Sequence, residues 1–158
     1  MNTAYSRNYL NIELAVLISL VLLYGWATYE RNLFWKDDLS LWLDNVKKSP
    51  AKARVYNYLG LAYHKVKDID NAIPQYKKSL SLDPFYADAH NNIGISYFDK
   101  GSVDKAITHF KHAIDVNPSH ADAHYNLGIA YGEKGLIDKA YEEMRKGIEL
   151  RSNLAASQ

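Results

Sequence analysis

The chain has no cysteine, only four prolines and almost no net charge, and these scarcities narrow what it can be. Without thiols there are no disulfides and no thiolate metal sites, although their absence does not identify a compartment. A formal charge of +1 over 158 residues, with basic side chains that form no dense stripe, offers little to a phosphate backbone. No nucleic acid is therefore expected as a partner. No glycine-rich phosphate loop, nucleophile elbow or paired-carboxylate motif occurs, so the chain is expected to be no enzyme and to need no cofactor.

Charge is also missing locally. No charged residue lies between Leu14 and Tyr29, and the run from Leu14 to Trp26 is almost wholly apolar. Counted outward to Leu10 it covers roughly 20 residues, or about 30 Å of helix, enough for a bilayer core. Asn11 and Glu13 fall near one end, and Tyr9 on one side with Tyr24, Trp26 and Tyr29 on the other form the aromatic belt of a membrane interface. A cleaved signal peptide and a buried core helix are the alternatives. The exit through Tyr24–Tyr29 lacks a small-x-small cleavage site, and the leading segment has only Arg7, so an uncleaved transmembrane helix over 10–29 is the expectation. Membrane lipid is then a partner. Arg31, Lys36, Lys47 and Lys48 follow the span, but Glu30, Asp37, Asp38 and Asp44 surround them, and charge alone leaves the side of the membrane open.

The prolines that do occur are ordered. Pro50, Pro84 and Pro118 are 34 residues apart, and Gly60/Gly94/Gly128, Tyr63/Tyr97/Tyr131 and Ala72/Ala106/Ala140 keep the same interval. That period marks an array of helix–turn–helix units, each too small to bury its own apolar face. The paired helices are expected near 51–66 and 69–82, 85–100 and 103–116, then 119–134 and 136–150. Gly101 and Gly135 supply left-handed turns, with Lys67 in that place in the first unit. Glycines repeated inside a helix imply close helix–helix approach, since each costs about 1 kcal/mol relative to alanine. Leu39, Trp42, Leu43 and Val46 fall at helical spacing before Pro50, with Asp37 or Asp38 as the expected N-cap, and read as a half-repeat that caps the array. The chain thus divides into an N-terminal tail (1–9), a transmembrane helix (10–29), an interfacial segment with a capping half-repeat helix (30–50), repeats over 51–84, 85–118 and 119–152, and a C-terminal tail (153–158).

Tyr58-Leu-Gly-Leu-Ala-Tyr63, Ile93-Gly-Ile-Ser-Tyr97 and Asn126-Leu-Gly-Ile-Ala-Tyr131 resemble the first helix of the tetratricopeptide repeat (TPR). Asp70-Asn-Ala-Ile73, Asp104-Lys-Ala-Ile107 and Asp138-Lys-Ala-Tyr141 resemble its second helix, and Leu82-Asp-Pro84 and Val116-Asn-Pro118 its closing turn. His90 and His124 stand where that family often has an aromatic residue, Gly147 where it usually has alanine and Ser152 where it closes with proline. The implied fold is all-α, a short TPR solenoid with an N-terminal transmembrane helix. A second resemblance, over Tyr29–Asp38, Leu41-Trp42 and Lys48-Ser-Pro50, is to the junction of TPR-tailed glycosyltransferase-like membrane proteins. It implies repeats outside the cytoplasm but carries over no catalytic domain.

The TPR resemblance implies that first helices line a concave face. That places Arg54, Asn57, Leu61 and His64 beside Asp88, Asn91, Asn92, Ile95 and Phe98, then Asp122, Tyr125, Asn126 and Ile129. Leu61, Ile95 and Ile129 form an apolar stripe, and the amides of Asn92 and Asn126 are expected to pair with an extended peptide. Asn92 fits one asparagine of the family's carboxylate clamp, but its cationic members are missing, so chaperone tails are not expected ligands. Among the six histidines, His90 and His124 repeat in phase with His120 close by, and His109 and His112 share a helix face. Without cysteines or a carboxylate pair, structural roles and no metal site are expected.

The function this implies is a single-pass TPR adaptor of the cell membrane, its repeats placed on the extracytoplasmic or periplasmic side, that binds a protein or peptide beside the bilayer. The alternatives are a structural subunit of a membrane complex, with other membrane subunits as partners, and an accessory to a glycosyltransferase or polysaccharide system.

Overall fold

A computed structural model of the chain describes residues 3–156, with side chains at 14, 16–26 and 38–156. Its helices are α1 (Thr3–Lys48), α2 (Ala53–Lys65), α3 (Ile69–Leu82), α4 (Ala87–Asp99), α5 (Val103–Val116), α6 (Ala121–Glu133) and α7 (Ile137–Ala156). No strand occurs among the described residues, as the all-α expectation requires. The chain divides into two compact units, one ending at Asp38 and the next beginning at Leu39.

Two expectations about the N-terminal part change. The transmembrane helix over 10–29 is not supported: among the described residues, no helix is long and apolar enough to cross a membrane. The described side chains of that stretch, Leu14 and Val16–Trp26, cover about 20 Å of helix against the ~30 Å of a bilayer core. The side chains at 10–13, 15 and 27–29 lie outside the described residues. The fresh helix start at Asp37 or Asp38 is also absent, because α1 runs through that point. From Trp26 to Lys48 the sequence has neither glycine nor proline to interrupt it.

In the second unit each first helix packs on its own second helix, as α2–α3, α4–α5 and α6–α7, and each second helix packs on the next pair. The three first helices, α2, α4 and α6, are therefore neighbours along one surface. Leu39, Trp42 and Val46 are half-buried, and the Trp42 ring stacks on Tyr58 of α2 with centroids 4.6 Å apart. The repeated glycines do admit close packing. A Cβ at Gly94 would lie 2.5 Å from the Phe110 ring, and one at Gly60 would meet Tyr76 equally closely. Gly147, which stands where the resemblance would place alanine, is a close-approach glycine as well. A Cβ there would lie 2.8 Å from both the Ala121 carbonyl oxygen and the Tyr125 backbone nitrogen, so α7 approaches α6 more closely than a methyl group permits.

The helix limits match the expected ones for α3 and α5 and differ elsewhere for local reasons. Each first helix starts two residues later than expected, because the residues after Pro84 and Pro118 stay in a turn. The Asp83 carboxylate accepts from the Phe85 backbone N–H at 3.0 Å, and the Asn117 side-chain oxygen from that of Ser119 at 3.1 Å. At the other end α7 continues to Ala156, since Ser152 replaces the proline that would stop it. Lys67, Gly101 and Gly135 take positive φ values of 65°, 72° and 72°, the left-handed turns expected of them.

Candidate protein-binding face

The face formed by α2, α4 and α6 is held in register by side chains that reach from one repeat to the next. The Asn92 amide donates to the Asn57 side-chain oxygen at 3.0 Å, and the Asn126 amide donates to that of Asn91, also at 3.0 Å. Asn57 and Asn91 are buried, whereas Asn92 and Asn126 are half-buried. Two amides expected to meet a ligand thus spend one donor each on joining repeats, and Asn57 and Asn91 serve as their buried acceptors. Each primary amide keeps a second N–H.

The charged positions are also engaged. His120 caps α6, its Nδ1 accepting from the Ala123 backbone N–H at 3.2 Å. That leaves Nε2 to carry the proton and donate to Asp88, 3.1 Å away. This hydrogen bond is the main reason that the Asp88 carboxyl titrates below its ordinary range. Arg54 donates to the Tyr58 hydroxyl at 3.4 Å. Arg151 of α7 pairs with Asp122, and its guanidinium lies 5.7 Å above the Tyr125 ring. His64 Nε2 is 2.9 Å from the Asp99 carboxylate. Burial raises the Tyr86 hydroxyl pKa, although its hydrogen bond to Asn57 opposes the shift. A cleft of about 290 Å³ opens between Arg54, Tyr58, Tyr86 and Asp88. A second, of about 360 Å³, has His120, Asp122, Arg151 and Leu154 in its wall.

The apolar stripe is uneven. Leu61, Ile95 and Phe98 are half-buried, and Ile95 and Phe98 pack against the core around Phe110 and Leu127. Ile129 is 38% exposed and is the stripe's freest member. The acidic balance is clearer. Helices α4 and α6 carry Asp88, Asp99, Asp122 and Glu133 and no lysine or arginine, whereas α2 carries Arg54 and Lys65.

The histidines group differently from their sequence phase. His124 is 1% exposed, with Nδ1 2.6 Å from Glu143 and Nε2 3.1 Å from the Pro118 carbonyl, and it does not meet His90. His90 instead faces His109 and His112 across the α4–α5 pair. Among the described residues no group of three histidine, cysteine or acidic side chains already converges to hold a metal ion.

Tetratricopeptide repeat models match residues 53–86 and 121–154, and a TPR repeat model matches 96–135. No curated protein is similar enough to count as a match. Among solved structures, one of MamA is 29% identical, with a TM-score of 0.68 over 77% of this chain and 71% of that one. The first TPR of Spaghetti (RPAP3) bound to the HSP90 peptide SRMEEVD is 26% identical, with a TM-score of 0.62 over 65% and 81%. YrrB, at 23% identity and a TM-score of 0.64 over 78% and 64%, shares the fold. No matched family model covers Tyr29–Pro50, so the glycosyltransferase-like junction gains nothing from these comparisons.

Proposed function

The chain belongs to the tetratricopeptide repeat family, and we propose that it binds a partner protein by laying an extended, basic segment along the α2–α4–α6 face. The observation that carries this reading is the acidic rim of α4 and α6, neither of which has a lysine or arginine. Although Asp88, Asp99 and Asp122 are shared with His120, His64 and Arg151, Glu133 is exposed one helical turn from the exposed Ile129. The spare N–H groups of Asn92 and Asn126 suit peptide carbonyls, and Ile129 suits an apolar side chain. The RPAP3 domain holds a peptide with two glutamates and an aspartate near its end. An acidic segment of that kind would meet like charge here, so a neutral or basic one fits better.

Crosslinking and affinity capture test the reading. Ile129→Glu and Glu133→Lys change exposed side chains and should leave the fold intact. Each is expected to weaken capture at least about tenfold, equivalent to about 1.4 kcal/mol. If both variants retain every partner, this face is not the site. Ile95→Glu is a poorer probe, because Ile95 also packs on the core.

The second part of the proposal sets this arm beside a bilayer, on the extracytoplasmic side. The anchor rests on the uncharged stretch within 10–29 and on side chains such as Val21, Leu22 and Trp26, each more than half exposed in its own unit. The side rests on the junction resemblance over Tyr29–Asp38, Leu41-Trp42 and Lys48-Ser-Pro50 alone. The full chain is expected in the carbonate-resistant membrane fraction and a chain lacking 1–38 in the soluble one, with protease protection reporting the side. Recovery of the full chain in the soluble fraction would remove the anchor. A role as a complex subunit is favoured by α7, where Ile137, Tyr141 and Ile148 are exposed at positions whose counterparts Val103, Ile107 and Ile114 pack on the core. A stoichiometric assembly after gentle detergent extraction would select that role over a transient adaptor.

A further inference from the structure

We propose that His90, His109 and His112 form a binding site for a divalent transition-metal ion on the second repeat, separate from the protein-binding face. His90 Nδ1 and His109 Nδ1 face each other at 3.4 Å. Two ring nitrogens cannot face each other with both lone pairs bare; a proton or a cation must lie between them. The separation of two nitrogen ligands on one tetrahedral ion is about 3.3 Å, from metal–nitrogen bonds of about 2.0–2.1 Å. The pair therefore already has the bite of a chelate.

The third ring is at hand. His112 lies with its centroid 5.4 Å from that of His90 and 6.3 Å from that of His109. As they stand, the three rings do not converge on one point. The His112 side chain is 56% exposed, however, and has room to turn toward the other two. An outer partner is present as well. The Pro84 carbonyl hydrogen-bonds the His90 ring, which directs the other nitrogen, Nδ1, toward His109. The Asp115 carboxylate lies 4.0 Å from His112 Nδ1, beyond hydrogen-bond distance, and sets a negative charge beside the cluster. Imidazole ligands suit Zn²⁺, Cu²⁺ or Ni²⁺, with Cu²⁺ bound most tightly. Partial burial keeps His109 neutral, as a ligand must be, while the nearby Lys77 charge opposes a cation.

The first and third repeats provide controls. The places of His90 and His109 are held by Tyr56 and Gln75 in the first repeat and by His124 and Glu143 in the third. His90→Tyr and His109→Gln therefore install side chains that the neighbouring repeat already accommodates. Calorimetric titration of the 158-residue chain with Zn²⁺ is expected to give one saturable site, lost in His109→Gln and in His90→Tyr. Circular dichroism of each variant checks that the helices remain. Absence of saturable uptake by the unaltered chain, or uptake that persists in helical His109→Gln, would overturn the proposal. The alternative then left is a tautomer in which one ring donates an N–H to the other.

Discussion

Replacing Phe110 with alanine is expected to destabilise the repeats by about 3–5 kcal/mol, the range for emptying a fully buried phenylalanine site. Phe110 is 1% exposed and is clustered with Ala106, Leu127, Ala130, Tyr131 and Ala140, which come from its own helix, the next first helix and α7. One wall of its pocket is the backbone of α4 at Gly94, which has no side chain to move into the space. The site therefore collapses poorly, and a loss of this size is a large part of the roughly 5–15 kcal/mol that holds a domain folded. Urea denaturation followed by circular dichroism measures it. Because neighbouring repeats stabilise one another through their interfaces, the middle repeat is where such a loss uncouples both ends. Gly94→Ala supplies the control. In the unaltered chain its methyl group meets the ring and should cost about 1–3 kcal/mol by overpacking. In the Phe110→Ala background the methyl enters vacated space, so most of that cost should vanish as a coupling between the two positions. Equal costs in both backgrounds would mean that the ring-on-backbone contact is not what limits packing here.

The 34-residue period made that contact partly legible, because repeated glycine and aromatic positions imply helices that approach closely. It also located the left-handed turns at Lys67, Gly101 and Gly135 and the full extent of α3 and α5. What it could not convey was anything out of phase with itself. The asparagine ties join positions 35 apart, Asn57 to Asn92 and Asn91 to Asn126, so a strict repeat alignment reads all four as ligand-facing equivalents. The Asp83 and Asn117 turns delay the next helix through a side chain bonded to a backbone N–H two residues on, a local competition that apolar periodicity does not register. The histidines were grouped by phase or by helix face, whereas packing of α4 on α5 joins His90 to a residue 19 positions later. The stretch to Lys48 carried no breaker, and continuity of α1 was the simpler consequence of that absence. Thus the repeat explains the scaffold, while the departures from it determine which side chains remain available.

Acidification of the metal-free chain is expected to weaken the middle repeat between about pH 6.5 and pH 4. His109 has its pKa lowered from 6.5 to about 4, first by burial, then by His90, His112 and Lys77. His90, on the facing helix, is lowered in the same direction by burial and by His112. Tyr97 stacks on the His109 ring at 5.6 Å and adds no charge that would offset protonation. In this window the unfolded chain takes up a proton that folded His109 refuses, so stability rises with pH through it and falls on acidification. The contribution is fully present above the unfolded value and spent below the folded one. At 1.36 kcal/mol per pKa unit the full shift would correspond to about 3 kcal/mol, and water around the half-buried ring reduces the expected loss to about 1–2 kcal/mol. His109→Gln should remove most of this slope, because the amide does not titrate. Asp88 acts elsewhere: its carboxyl is lowered by His120, so its stabilisation is lost only as pH falls further, through the acidic range. Denaturant midpoints measured from pH 7.5 to 4 in the presence of a chelator separate these effects. An unchanged slope in His109→Gln would show that the acid sensitivity arises outside the α4–α5 histidine contact. A slope made steeper by replacing the chelator with Zn²⁺ in the unaltered chain but not in the variant would tie the two properties of this cluster together, since the metal and the proton would then be competing for the same pair of nitrogens.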